Sequence, residues 1–310
     1  MTATRQSVTV TGFFLTFLGA ILFSTKAIIV KQAFARTPVD PLSLLTVRML
    51  FSLPFYIGTA IVTGKQKGNV LIPVKQWAWV IILGLFGYYI SSYLDFTGLQ
   101  FVSAGLERLI LFLYPTFVVL ISAFVFREKI SRMQVLALLL TYTGIAIAYA
   151  GELRVEATGP SFFYGSILIL ICAVTYAVYI AGSGKIIPQV GATKFTAYAM
   201  LSATAGILLH YIWAGNFQLL HSGTAYWGYG ILLALLATVI PSFLISFGMK
   251  QIGSNNVAII SGIGPVSTIL QAHFILGEKI FAEQLAGTAL VVAGVLLTGW
   301  RSRATRPEKN

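Results

Sequence analysis

Five ionisable residues interrupt long apolar stretches of this sequence: Lys26, Arg48, Asp95, Glu107 and Arg108. A charged side chain at the centre of a lipid-buried helix costs about 2.5–3.5 kcal/mol on insertion scales, so each of these residues needs a partner, water or a ligand. Three cations and two carboxylates together can receive both an anionic and a cationic group. We therefore expect these side chains to line a binding cavity.

Local alternatives exist for each of these charges. Asp95 and Arg108 lie almost symmetrically about a short turn, so they could pair with each other. Lys26 is only five residues, about 7 Å along a helix, from Lys31 and could extend outward to the polar interface. Arg48 and Glu107 could also form a pair, although each sits within an otherwise apolar helix.

Tyrosines recur beside these charges and on one other helix. Tyr88 shares a helix face with Asp95, and Tyr114 follows Glu107 by seven residues. On a later helix, Tyr176 and Tyr179 follow Cys172 at helical spacing. Such faces can stack on a ring or donate a hydrogen bond, although helix packing and interfacial belts also use tyrosine.

Two other residues could have an ordinary packing role instead of a functional one. His273 is a further cavity candidate, and it could carry a proton, as could Asp95 or Glu107, but a hydrogen-bonded packing role is the common one for such a histidine. The single cysteine, Cys172, excludes an intramolecular disulfide and is interpreted as a small packing residue.

The elements that must position these side chains are membrane-spanning helices. Of 310 residues, 57% are hydrophobic and 10% are charged, with a mean hydropathy of +0.85. Soluble domains carry about 25% charged residues. Ten apolar runs are long enough to cross about 30 Å of hydrocarbon, near residues 8–30, 42–63, 76–97, 104–126, 132–150, 161–182, 194–213, 226–249, 256–276 and 281–300.

The distribution of positive charge predicts the orientation. Of the 21 Lys and Arg residues, fourteen fall on one side of the ten-span arrangement, four on the other and three within spans. Positively charged flanks are retained in the cytoplasm, so both termini are predicted to be cytoplasmic. The net charge of +12 lies in short loops rather than in one patch, which argues against a nucleic-acid surface.

An internal repeat appears when the sequence is shifted by 150 residues. Without a gap, Glu128-Lys129-Ile130 falls on Glu278-Lys279-Ile280, Pro115 on Pro265, Trp77 on Trp227 and Gly144 on Gly294. The two copies are residues 1–150 and 151–310. Each holds five predicted spans, so the second copy enters the membrane from the opposite side and the repeats are inverted. The fold class is an all-α membrane protein, with both repeats around a central cavity.

The counterparts of the five charged residues under this shift are uncharged at neutral pH. They are Tyr176, Tyr198, Ile245, Val257 and Ala258. The five charges are predicted to lie in the external half of the bilayer, so the cavity is expected to be electrostatically asymmetric.

Two prolines occupy equivalent positions in the predicted fourth and ninth spans. Proline removes a backbone donor and bends a helix at Pro115 and Pro265. Gly262 and Gly264 loosen the second copy further. A fixed kink is the alternative to a paired hinge that closes the cavity.

Several motifs resemble those of one transporter family. They are Gly98-Leu99-Gln100-Phe101-Val102-Ser103-Ala104, Tyr114-Pro115, Glu128-Lys129-Ile130 and Gly144, together with Arg48 early in the second span. The chain resembles EamA-type proteins of the drug/metabolite transporter superfamily, above all their aromatic amino-acid exporters. The resemblance covers both copies and implies a bacterial inner-membrane location and export of a small metabolite.

The expected activity is secondary transport of neutral or aromatic amino acids by alternating access. Nucleotide-related metabolites, drugs or a lipid-linked substrate are the alternatives within this fold, and a channel is another. No catalytic motif or complete phosphate loop occurs in the sequence, so neither an enzyme nor ATP drive is expected. No cofactor or metal is expected. The predicted partners are the small-molecule substrate and lipid, with self-association left open and nucleic acid excluded.

The inverted repeat makes a topological prediction. In a background lacking Cys172, single cysteines at Lys129 and Lys279 should react with a membrane-impermeant maleimide from opposite faces of the membrane. Labelling of both positions from one face would contradict the inverted repeat.

Overall fold

The computed structural model describes residues 9–65, 73–125, 132–155, 160–214, 224–245, 247–248, 251, 260 and 263–301. Within these ranges the regular secondary structure is helical and no strand occurs. The α-helices are α1 (Val10–Arg36), α2 (Pro41–Lys65), α3 (Val74–Gly84), α4 (Ser91–Gly98), α5 (Ala104–Leu111), α6 (Tyr114–Val125), α7 (Arg132–Val155), α8 (Pro160–Val190), α9 (Ala192–Ala214), α10 (Thr224–Ala234), α11 (Gly264–Gln271) and α12 (Ala282–Arg301).

Seven of the helical runs in the described part of the chain are long and apolar enough to cross a membrane. They are Val10–Arg36, Pro41–Lys65, Val74–Gly98, Ala104–Val125, Pro160–Ile187, Thr193–Ala214 and Ala225–Ile245. All seven coincide with predicted spans, and α7 contains a shorter apolar stretch, Leu139–Gly151. The prediction of an all-helical membrane protein is confirmed for these residues.

Three π-helical segments among the described residues continue or join the α-helices. Leu85–Ile90 connects α3 to α4, Leu235–Val239 follows α10, and Ala272–Leu276 follows α11. The first two lie 150 residues apart, which is the offset of the sequence repeat. A π segment widens one helical turn and re-aims the side chains on it. Tyr88 lies on the first of these segments.

Tight connections use glycine where the backbone must be left-handed. Gly191, with φ of 84°, separates α8 from α9, and Gly277, with φ of 74°, follows the third π segment. Residues with a side chain rarely adopt this conformation, so glycine allows these turns without strain.

Pro115 and Pro265 each lie at the second residue of a helical segment rather than in the middle of a continuous helix. Phe112 and Leu113 form a turn between α5 and α6, and Pro115 follows Tyr114, the first residue of α6. Pro265 likewise follows Gly264, the first residue of α11. Proline fits a first helical turn because the donor it lacks is not used there. The expectation of mid-helix prolines is therefore corrected, while Gly262 lies outside the described residues.

Helices α7 and α12 occupy equivalent positions in the two copies and pack directly against each other. Gly144 on α7 lies against Gly287 and Val291, whereas Gly151 lies against Glu283. Residue numbers rise along one helix as they fall along the other, so the two helices are antiparallel. Backbone meets backbone at the crossing, which only small residues permit.

The first helices of the two copies, α1 and α8, make equivalent contacts with the opposite copy. Gly98 at the end of α4 contacts Ile169 on α8. Gly248, the counterpart of Gly98 at an offset of 150 residues, lies against Thr16 of α1, and Gly19, the counterpart of Ile169, packs on Ile245. The first helix of each copy thus packs antiparallel to the third span of the other copy.

The α7–α12 crossing predicts the effect of adding a methyl group. A Cβ at Gly144 would lie 2.5 Å from the Gly287 carbonyl oxygen, so Gly144→Ala should lower the free energy of unfolding by about 1–3 kcal/mol. Gly58→Ala on α2 is the matched control, because a Cβ there meets no atom within 4 Å. Unfolding of the detergent-purified variants measures both. Equal stability of the two variants would contradict the close crossing.

Candidate functional site

The Lys26 side chain of α1 joins two carboxylates inside the helical bundle. Its Nζ is 2.6 Å from Asp95 Oδ2 of α4 and 3.2 Å from Glu107 Oε1 of α5. Asp95 is 1% exposed and Glu107 is fully buried, while the lysine side chain is 16% exposed. We call these three residues the triad. They replace the Asp95–Arg108 and Arg48–Glu107 pairs considered from the sequence, and Lys26 turns inward rather than toward the interface.

Local sequence explains why Glu107 can reach this position. Ser103 caps α5, and its side-chain oxygen accepts a hydrogen bond from the Leu106 amide at 3.0 Å. Glu107 therefore falls in the first turn of α5, where a negative charge is favoured by the helix dipole. The short turn between α4 and α5 then brings it close to Asp95.

The triad leaves two carboxylate oxygens without a donor. Asp95 Oδ1 and Glu107 Oε2 accept no hydrogen bond within the described part of the chain, and Asp95 Oδ2 is met only by its 2.6 Å ion contact with Lys26. Because both carboxyl groups contact the same Nζ, they lie close together. A buried polar atom without a partner is costly, so these oxygens can accept a proton or a cationic ligand group.

Arg48 approaches the same region from α2. Its Nε donates to Thr238 Oγ1 at 2.8 Å, and its guanidinium carbon is 5.5 Å from the centre of the Phe96 ring. Thr238 lies on the second π segment and in turn donates to the Leu233 carbonyl oxygen at 2.9 Å. Arg48 is 5% exposed, and its Nη1 has no hydrogen-bond partner among the described residues.

Arg108 takes a different course from its neighbour Glu107. Its guanidinium lies against Gly264, where a Cβ would be 2.6 Å from Nη2. Glycine at this position therefore makes room for the arginine, a role that the hinge interpretation did not include. Arg108 Nε is buried without a hydrogen-bond partner among the described residues.

The four predicted tyrosines meet in one cluster. The Tyr88 and Tyr179 ring centres are 5.0 Å apart, those of Tyr114 and Tyr176 are 5.1 Å apart, and Tyr176 stacks on Tyr179 at 5.8 Å. Tyr179 also donates to the Tyr88 hydroxyl at 3.3 Å. Cys172 is buried one turn before Tyr176 on α8. Tyr88 of the cluster lies seven residues, about two helical turns, before Asp95 on the continuous helical run Val74–Gly98, so the two clusters adjoin along that run.

His273 does not join this group. It is exposed on the third π segment, and its Nδ1 is 2.9 Å from the Glu278 carbonyl oxygen. The structure therefore places it at a turn, apart from the buried residues described above.

Three contributors were missed from the sequence. Phe96 and Thr238 hold Arg48, but their types are common in membrane helices and carried no signal. Glu278 accepts hydrogen bonds from the Ala104 amide at 3.0 Å and the Gly105 amide at 3.4 Å, so it caps α5 from the other copy. The repeated Glu-Lys-Ile triplet was the available signal for that contact.

Removal of the triad's only ammonium should be strongly destabilising. Lys26→Met leaves two buried carboxylates unpaired and should lower the free energy of unfolding by about 3–5 kcal/mol at neutral pH. Lys26→Met/Asp95→Asn/Glu107→Gln removes all three charges and should regain most of that loss. Chemical unfolding of purified protein measures the difference. If Lys26→Met were as stable as the wild type, the ion pairs would contribute nothing to the stability of the fold.

Comparisons with known proteins agree with this architecture. The chain is 30% identical to the uncharacterized transporter YcbK of Bacillus subtilis (strain 168), over 94% of this chain and 93% of that protein. It is 27% identical to the aromatic amino acid exporter YddG of Ancylobacter novellus, over 97% and 98%. A solved crystal structure matches 96% of this chain and 99% of its own, with a TM-score of 0.64 at 20% identity, which shows a shared fold.

The family match extends over both copies of the repeat. The EamA-like transporter family matches residues 10–150 and 163–300. The helical bundle, the two matched regions and the full-length relatives lead to one conclusion: this chain belongs to the EamA-like transporter family.

Proposed function

We propose that this protein is a secondary transporter that exports neutral or aromatic amino acids across the bacterial inner membrane. The observation that carries the proposal is the buried triad adjoining the four-tyrosine cluster. Charges buried within a membrane bundle are costly, and they commonly mark a substrate or ion pathway. The exporter activity of the Ancylobacter novellus relative supports the same substrate class.

The available polar atoms match the two ends of an amino acid. Arg48 Nη1 and Arg108 Nε have no hydrogen-bond partners among the described residues and can donate to a carboxylate. Asp95 Oδ1 and Glu107 Oε2 can accept from an ammonium. The tyrosine rings offer edge-to-face contact to an aromatic side chain. One zwitterion can thus engage all three parts of the site.

The two copies contribute different chemistry to this site. Tyr176, the counterpart of Lys26, lies in the tyrosine cluster, and Asp95 has the apolar counterpart Ile245. Copy one supplies the charges and copy two supplies Tyr176 and Tyr179. A ligand with one charged end and one aromatic end would be held in a single orientation by such a site.

Alternating access would follow from two inverted five-helix repeats, residues 1–150 and 151–310, with ten crossings in all. Three observations support this arrangement. The equivalent helices α7 and α12 are antiparallel, and the first helix of each copy, α1 or α8, packs on the third span of the other copy. Two π segments also lie 150 residues apart. Exchange of conformation between equivalent halves opens a central site to either side. The breaks before Pro115 and Pro265 are the proposed hinges, and both termini would lie in the cytoplasm.

Competition in proteoliposomes tests this function. Unlabelled aromatic amino acids should compete with a labelled one for saturable exchange, whereas nucleosides and cationic drugs should not. Tyr176→Ala should raise the half-saturation concentration about tenfold, equivalent to about 1.4 kcal/mol, because it removes ring contacts. The matched control is Tyr142→Ala, since Tyr142 is 43% exposed on α7.

Two results would contradict the proposal. Competition by nucleotide-related metabolites or drugs, without competition by amino acids, would replace the substrate class. Flux without saturation or competition would indicate a channel.

A further inference from the structure

The triad contains one more negative charge than positive charge. Lys26 supplies one ammonium to two carboxylates, and Asp95 and Glu107 are both buried. Both carboxyl groups contact the same Lys26 Nζ, at 2.6 Å and 3.2 Å, which holds them close together, yet each keeps an oxygen that no donor meets in the described structure. Two ionised carboxylates are acceptors only and cannot satisfy each other.

One proton would resolve both problems. Bound to either carboxyl group, it supplies the missing O–H donor between them and cancels the excess negative charge. We propose that Asp95 and Glu107 share one exchangeable proton, and that its exchange drives export by proton antiport. This inference rests on the proposed transport function.

Lys26 of α1 is the charged group that contacts the pair directly in the described structure. Cys172 of α8, Arg48 of α2 and Arg108 of α5 interact with the pair electrostatically without forming an ion pair with it. The Arg48 guanidinium is held by Thr238 and Phe96, and that of Arg108 lies against Gly264. The ion pairs with Asp95 and Glu107 in the described structure come from Lys26.

Antiport follows from competition for the same oxygens. The ammonium of a bound amino acid and the shared proton both neutralise the carboxyl pair, so they would occupy it alternately. Binding of substrate from the cytoplasm breaks the O–H bond and releases the proton to that side. After substrate leaves on the external side, a proton re-forms the O–H bond, and no other bond changes.

A metal cation fits the pair less well. Na⁺ is a hard cation that prefers a shell of several oxygen ligands, whereas the Lys26 ammonium already lies 2.6 Å from one of these carboxylates. A sodium gradient is the alternative driving force. Accumulation of phenylalanine driven by a sodium gradient would contradict the inference.

The test separates exchange from accumulation in the full-length protein. In proteoliposomes with one pH unit imposed and labelled phenylalanine as the probe, the wild type should accumulate substrate up to about tenfold on the acidic side. Glu107→Gln and Asp95→Asn each remove an acceptor for the substrate ammonium, so both should raise the half-saturation concentration for exchange at equal pH. At phenylalanine concentrations that restore exchange, neither variant should accumulate phenylalanine on the acidic side. The matched control, Asp40→Asn, changes a carboxylate that caps α2 through the Ser43 amide and should accumulate like the wild type.

A second measurement needs no variant. A pH dye trapped with wild-type protein should report proton movement opposite to phenylalanine when substrate is added without an imposed pH gradient. Exchange without dye response or gradient-driven accumulation would overturn the coupling and leave the transport function intact. The coupling would also be overturned if Glu107→Gln and Asp95→Asn both still accumulated phenylalanine, or if a sodium gradient drove accumulation in place of the pH gradient. Absence of phenylalanine exchange in the wild type would refute the proposed substrate class, and coupling to phenylalanine with it.

Discussion

The arrangement of this bundle depends on the contact between one ammonium and two carboxylates. Lys26, Asp95 and Glu107 come from three different helices, and none of these charges would be tolerated alone in an apolar interior. The attraction of both carboxylates to the one ammonium fixes how α1 faces α4 and α5. The arginines and tyrosines then occupy the space beside that contact.

The sequence identified the buried charged positions better than it predicted their partners. The free-energy cost of burying a charge in lipid was enough to mark the charged positions, because such a charge must be compensated wherever it occurs. The actual pairing depends on helix rotation and depth, and periodicity does not determine either with enough precision to choose Lys26 over Arg108 as the partner of Asp95. Helical spacing did identify Tyr176 and Tyr179 as neighbours on one face, whereas His273 lies on an exposed π segment that apolar periodicity could not distinguish from a regular helix.

The repeat explains much of the architecture and little of the site. Equivalent glycines and π segments recur because packing and bending are needed in both copies. The charged residues of the first copy do not recur at the equivalent positions of the second copy. Pro115 and Pro265 illustrate a limit of pattern analysis, because a proline within an apolar run predicts a kink even where the helix has already ended and started again.

The cap formed by Glu278 on α5 links the two halves through main-chain amides. Those amides start the helix that carries Glu107, so any separation at this end of the bundle exposes them to water while Glu278 is hydrated in turn. Water can replace such a contact at small net cost. The cap can therefore open and close without leaving a deep energy minimum, as the proposed alternating-access cycle would require.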